Sequence, residues 1–435
     1  MEIRNSTRCC NPEVYEVKPL CSGRTSHCLL PFVRGEWEGC LSRESQKTCH
    51  NVIDAKRFRV KSCAIMEKLY PDLSGNATGV SSAAIPGTRR KFAWLTLMGS
   101  LLFILLVLDI ALGSVRIPVA DVVRILIGSD NGTDHLAWYK IIHSLRIPKA
   151  FTAVLAGAAL SVSGLQMQTL FRNPLAGPSA LGITSGASLG VAVLMLGSGS
   201  MASVYAIRQL GIGGSWLIVL ASFGGSALVM AFVTSIAWRV RDNVVLLIVG
   251  LLLSNLILAL VSIWQYFSEP EQIQDFLLWT FGSLSGVSRQ QLPILVVVVL
   301  AGLAVTFLSS KHLNLLLLGE HYAASMGLSI QQTKLRVIGS TSLLAGAVTG
   351  FCGPIGFVGI AVPHLCRALL NTSDHRFLIP ACCLVGANSM LACDIVAQLP
   401  GYHTTLPINA VTAALGCPVV IAVVLRRRHV NNPGV

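Results

Sequence analysis

Charge is what this chain has least of. Only 12% of its 435 residues are Asp, Glu, Lys or Arg, roughly half the ~25% of an ordinary soluble domain. Against that, 53% are hydrophobic and mean hydropathy is +0.66, so a bilayer is the natural solvent. A phosphate-cradling loop is also missing: nothing fits GxxxxGK[ST], and any ATP chemistry has to reside on another chain. No HExxH occurs, which removes the helix-borne zinc hydrolase pattern. Carboxylates inside apolar runs are reduced to Asp109 and Asp394, too few for the charged spans on which ion-coupled carriers usually rely. The net charge of +13 does not indicate nucleic acid, because the basic residues punctuate apolar runs as positive-inside loops do.

Cysteine is present but not in metal-binding register. Of the 13, seven (Cys9, Cys10, Cys21, Cys28, Cys40, Cys49 and Cys63) fall in a polar leader without CxxC spacing, which argues against a zinc module. An odd set also makes a closed disulfide framework awkward. The leader shows neither the apolar h-region of a signal peptide nor the periodicity of a packed core. Residues 1–88 are therefore read as a poorly structured extension, with Met66, opening MEKLYPDLSG, as an alternative start.

Long apolar runs dominate the rest. Windows near 92–113, 150–171, 179–197, 214–237, 243–267, 290–309, 335–352, 355–370, 377–397 and 408–425 predict an all-α membrane protein, a polytopic bundle of about ten transmembrane helices. Basic residues, among them Arg89, Arg90, Arg172, Arg239, Lys334 and Arg367, favour both termini inside. The first external loop, with Arg116, Arg124 and Lys140, runs against that bias. The permease domain is expected over 89–430.

The most informative stretch is RIPKAFTAVLAGAALSVSGLQMQTLFRNPLAGP, 146–178. Its 151–171 portion has no charge and suffices to cross a bilayer, which takes about 20 residues. Ile147-Pro148 and Asn173-Pro174 mark its ends, since Pro cannot donate a backbone bond and restrains its predecessor. Gln166 and Gln168 are costly in lipid unless they face other helices or a wet path, so both are candidates for a translocation path or gate. Gly182, Gly186 and Gly190 form a GxxxGxxxG series expected to be a helix-packing ridge. The segment 268–288, SEPEQIQDFLLWTFGSLSGVS, is too short to span and reads as an external or re-entrant half-helix. Trp279 and Phe281 there are gate candidates, with an interfacial anchor through Trp279 as the alternative. In 315–336, LLLLGEHYAASMGLSIQQTKLR, Gly319 allows a break and Glu320 begins a short helix ended by Gly327. His364 and His375 lack further ligands in register and are read as hydrogen-bonded structural residues, so neither metal nor cofactor is expected.

These motifs resemble the FecCD-type permease subunits of bacterial ABC importers for iron-siderophores, haem and vitamin B12. That family carries an R-[LI]-P-R opening, a G-A-x-L-x-x-S-G-x-x-x-Q helix and an R-N-P-L-A-x-P close. Arg146 to Lys149, Gly157 to Gln168 and Arg172 to Pro178 follow that order, with Lys149 for the second Arg. GPIGFVGIAVPH, 353–364, matches a further family pattern nearly throughout, with Ile360 for Leu. The resemblance implies a non-enzymatic transport subunit of a type II importer in the cytoplasmic (inner) membrane, carrying an iron chelate such as a ferric siderophore. Haem or cobalamin is the alternative cargo. Implied partners are separate ATPase subunits, a periplasmic or lipoprotein substrate-binding protein, and a second permease copy, identical or homologous. By the same resemblance Gly319, Glu320, His321, Ala324, Ser325, Met326, Gly327 and Leu328 form the ATPase-coupling contact. Arg146 and Lys149 are the implied docking pair for the binding protein. The last external loop departs from type, with Gln398 where the family carries a docking Arg, Thr405 for Glu and Asn409 for Gly.

Overall fold

The computed structural model describes residues 86–113, 117–118, 121–122, 124–125, 136–197, 212–240, 242–398 and 405–431. The cysteine-rich leader and Met66 lie outside the described residues, as do Arg116, Arg208 and Arg241.

Among the described residues there are helices and turns but no strand. The first three helices are α1 (Pro86–Ala111), α2 (Leu136–Ile141) and α3 (Ile147–Leu170), the last two joined by a π-helical turn at Ile142–Arg146. A 3₁₀ turn at Pro178–Leu181 leads to α4 (Ile183–Met195), then α5 (Ile212–Arg239), α6 (Asn243–Tyr266) and the short α7 (Pro270–Thr280). Next come α8 (Leu292–Leu308), α9 (Ser310–Leu318) and α10 (Glu320–Ser325). The chain closes with α11 (Ile330–Cys352), α12 (Val358–Leu370), α13 (His375–Ala397) and α14 (Ile408–Asn431).

Each of the ten apolar windows is helical. Among the described residues six helices are long and apolar enough to cross a membrane, and α8 with α9, bent by 49°, makes a seventh if taken together. α4 and α12, of 13 residues each, rise only ~20 Å against a ~30 Å hydrocarbon core. Neither spans alone.

Composition sorts helices into centre and periphery. α6 has a mean hydropathy of 3.0 with only 22% of its best window buried, as suits a helix apolar on every side. α3 is rich in Ala, Gly and Ser, and its window is 83% buried. It packs on α13, α11, α12 and α8. Small residues permit this crowding. A Cβ on Gly157 or Gly386 would fall onto the other's carbonyl, and one on Gly164 onto the Gly359 carbonyl, so α3 touches α13 and α12 backbone to backbone.

The expected glycine ridge is split. Gly186 and Gly190 lie within α4 against α5, where a Cβ on Gly186 would come within 2.7 Å of the Gly225 carbonyl. Gly182 precedes the helix, with φ 79°. It closes the 3₁₀ turn rather than extending the ridge, because a left-handed residue cannot continue a right-handed helix.

Candidate functional site

At one end of the bundle a six-residue helix projects. α9 ends at Leu318, Gly319 reverses the chain with φ 122° and ψ 145°, and α10 runs only over Glu320–Ser325. Gly327, at φ 84°, separates it from α11. Ala323 is fully buried and anchors the turn. His321, Tyr322, Ala324, Ser325, Met326 and Gly327 are exposed, and Leu328 is half-buried. Tyr322 and Met326 expose 53% and 61% of their surface, apolar area offered by a turn with no second layer over it.

Polar side chains absent from the sequence-based site brace this turn. Glu320 Oε1 accepts from Asn243 Nδ2 at 2.5 Å and pairs with Lys334 Nζ at 3.3 Å. Asn243 Nδ2 also donates to the Leu170 carbonyl at 2.9 Å, in the last turn of α3. Arg172 Nη2 donates to the Leu316 carbonyl at 2.9 Å, close before Gly319. Nearby, Asn314 Nδ2 donates to Asp374 Oδ1 at 2.6 Å, while its Oδ1 accepts from the His375 backbone at 2.9 Å. Asp374 caps α13 by accepting from the Arg376 backbone. Burial alone would raise its carboxyl, but the hydrogen bonds from Arg376 and Asn314 and the Arg376 charge hold it below the ordinary value. Asn243 had one signal in the sequence: an amide heading a strongly apolar helix.

The opposite end carries a buried charge cluster. Lys149 Nζ lies 3.0 Å from Asp394 Oδ2, and Gln398 Nε2 bridges Asp109 Oδ1 at 2.8 Å and Asp394 Oδ2 at 3.0 Å. Arg146 Nη1 donates to the Ile110 and Ala111 carbonyls at 2.8 and 2.9 Å. This corrects the outward-facing expectation for Arg146, which is only 9% exposed. Its guanidinium closes the C-terminal end of α1, where cations are favoured. Lys149 is likewise committed within the chain.

Gln166 and Gln168 sit inside the bundle rather than along an open path. Gln166 is fully buried; its Nε2 donates to Thr306 and Ser340 at 2.7 and 2.9 Å, and its Oε1 accepts from Thr341 at 2.7 Å. Gln168 donates to the Ile360 carbonyl at 3.1 Å and accepts from Arg367 at 2.5 Å. A buried amide without partners costs ~1–3 kcal/mol, so these bonds explain why α3 tolerates both. Trp279, half-buried, lines a cavity of about 160 Å³ with Val219, Gln291 and Phe351. Phe281 keeps 46% of its surface exposed, and its carbonyl accepts from the Asn409 backbone.

The histidines make structural bonds. His364 Nε2 lies 2.7 Å from the Pro174 carbonyl; His375 lies 2.8 Å from Thr169 Oγ1 and 2.7 Å from Asn314 Oδ1. Gly186–Gly190 reads GASLG, the letters of a GxSxG nucleophile elbow, but Ser188 lies mid-helix in α4. It lacks the strand-to-helix turn that such a nucleophile needs.

The geometry describes a membrane bundle whose projecting turn is tied to its central helix. Residues 101–426 match the FecCD transport family. The chain is 35% identical over 341 residues to the vitamin B12 import system permease protein BtuC of Klebsiella pneumoniae, covering 78% of this chain and 96% of that one. It is 33% identical over 333 residues to the hemin transport system permease protein HmuU of Yersinia pestis, covering 77% and 96%. A solved metal-chelate type ABC transporter in an inward-facing conformation superposes with a TM-score of 0.65 at 27% identity, over 77% of this chain and 99% of that one. With three-quarters of its length matched and its helices where that resemblance puts them, the chain belongs to the FecCD transport family.

Proposed function

We propose that this permease imports a bulky metal chelate, carried whole, across the cytoplasmic membrane, driven by ATPase subunits on separate chains. The observation that carries this reading is α10: a short helix between two positive-φ glycines, presenting Tyr322 and Met326 at the end of a bundle. Large exposed apolar side chains on a turn braced from behind suit a protein groove. Gly319, Glu320, His321, Ala324, Ser325, Met326, Gly327 and Leu328 form that contact in this reading. The α10 end then faces the cytoplasm with both termini, and the Lys149–Asp394 end faces the substrate-binding protein. A second permease copy, identical or homologous, completes the path.

The narrower reading of the cargo is a ferric siderophore, the broadest class for such permeases. A second reading, cobalamin or haem, is favoured by the two relatives at 35% and 33% identity. Uptake of radiolabelled cyanocobalamin, haemin and a ferric siderophore, in a strain lacking this gene and in the complemented strain, separates them. Restored uptake of one ligand identifies the cargo. No complementation by any chelate would sink the import reading.

A further inference from the structure

The brace behind α10 has a geometry that a solvated loop would not need. Asn243 opens α6 and points its amide nitrogen at two acceptors on different elements: Glu320 Oε1 at 2.5 Å on α10 and the Leu170 carbonyl at 2.9 Å on α3. Its Oδ1 is buried without a hydrogen-bond partner. A flipped amide would set that oxygen against both acceptors, so the two donated bonds fix the orientation. Glu320 in turn meets the Lys334 ammonium at the start of α11. A second tie joins the same two regions, Arg172 Nη2 to the Leu316 carbonyl at 2.9 Å. Arg172 keeps a φ of 48°, a strained conformation for a residue with a Cβ. α10 has six residues, too few to deform internally, and α3 is the helix that packs on α8, α11, α12 and α13.

We propose that Asn243 and Glu320 are positioning residues that carry displacement of α10 into the last turn of α3. Lys334 holds the Glu320 carboxylate in register. This rests on the reading of α10 as the ATPase contact. Asn243 does not touch the ATPase surface; it links the element that does to the helix around which the bundle is built.

The test is hydrogen–deuterium exchange of the full-length chain in nanodiscs, with the ATPase that co-purifies with it, with and without a non-hydrolysable ATP analogue. In the wild type, nucleotide should change exchange about threefold or more both at 320–326 and at 165–172. Asn243→Asp, isosteric but repelling both acceptors, and Asn243→Leu should keep the response at 320–326 and lose it at 165–172. A wild-type response at both segments in the Asn243 variants would overturn the proposal. So would loss of both responses with a lowered thermal midpoint, which marks a structural brace only. If the wild type shows no ATPase-dependent protection at 320–326, the ATPase reading of α10 itself fails, and the link falls with it.

Discussion

Lys149 and Asp394 form an ion pair across the α3–α13 contact, Nζ to Oδ2 3.0 Å, with side chains only 17% and 4% exposed. Gln398 brings Asp109 into the same cluster. Removing one member strands a buried charge, which costs ~3–5 kcal/mol, whereas replacing both with apolar residues is often near neutral. Lys149→Met should therefore lower the thermal midpoint in nanodiscs more than Lys149→Met with Asp394→Leu does. A single variant as stable as the wild type would show that the pair is solvated.

Gln398→Arg tests whether this cluster serves docking or cohesion. An arginine there would meet two carboxylates, Asp109 and Asp394, that Gln398 now bridges. The expected outcome is a raised thermal midpoint and unchanged receptor binding between low and high salt. Salt-sensitive tightening of receptor binding would mean that the new charge reaches the surface.

Gly327 tests the projecting turn. Its φ is 84°, and a Cβ would meet nothing within 4 Å, so a side chain there costs backbone strain alone, ~1–2 kcal/mol. Gly327→Val should lose co-purifying ATPase or uncouple hydrolysis from uptake while the bundle stays folded. Gly339→Ala, in open space within α11, is the control and should be neutral or slightly stabilising. Equal ATPase recovery from both variants would move the contact elsewhere.

Gly157→Ala and Gly386→Ala each place a methyl against a backbone carbonyl that cannot rotate away. Either should force α3 from α13 and lower the thermal midpoint, while Gly99→Ala, with nothing within 4 Å, should not. Indistinguishable melting of all three would contradict the close approach.

Acid stability should show the α13 cap. Because the Asp374 carboxyl is held below its ordinary value near 3.8, its contribution is complete above that value and disappears as pH falls through the lowered one. Asp374→Asn should flatten the pH–stability curve in that acid range, and only modestly, because the carboxyl is part-buried at a helix end and partly screened by water. An identical acid limb in the wild type and the variant would remove Asp374 from the account.

Legibility differed by residue. Gly319 and Gly327 could be read as breaks because positive φ is a local property of the chain, and both have it. The role of Gly182 could not be read, since four-residue spacing does not distinguish a helical ridge from the residue that starts the helix. Arg146 and Gln166 show the larger gap. One looked like an exposed docking charge and the other a path-lining amide. The structure gives Arg146 to two carbonyls of α1 and Gln166 to Thr306, Ser340 and Thr341.

Apolar run length and the Gly and Pro positions determined an all-helical membrane bundle and where its helices lie, because covering apolar surface and satisfying backbone groups in lipid are requirements of each segment by itself. The partner of each buried polar group was decided only in three dimensions. Asn243 finds Glu320 across 77 residues, and Lys149 finds Asp394 across the α3–α13 contact. Such pairings follow from which backbones can approach closely enough, at Gly157 and Gly386 among others, and no local pattern in a single chain encodes that distance.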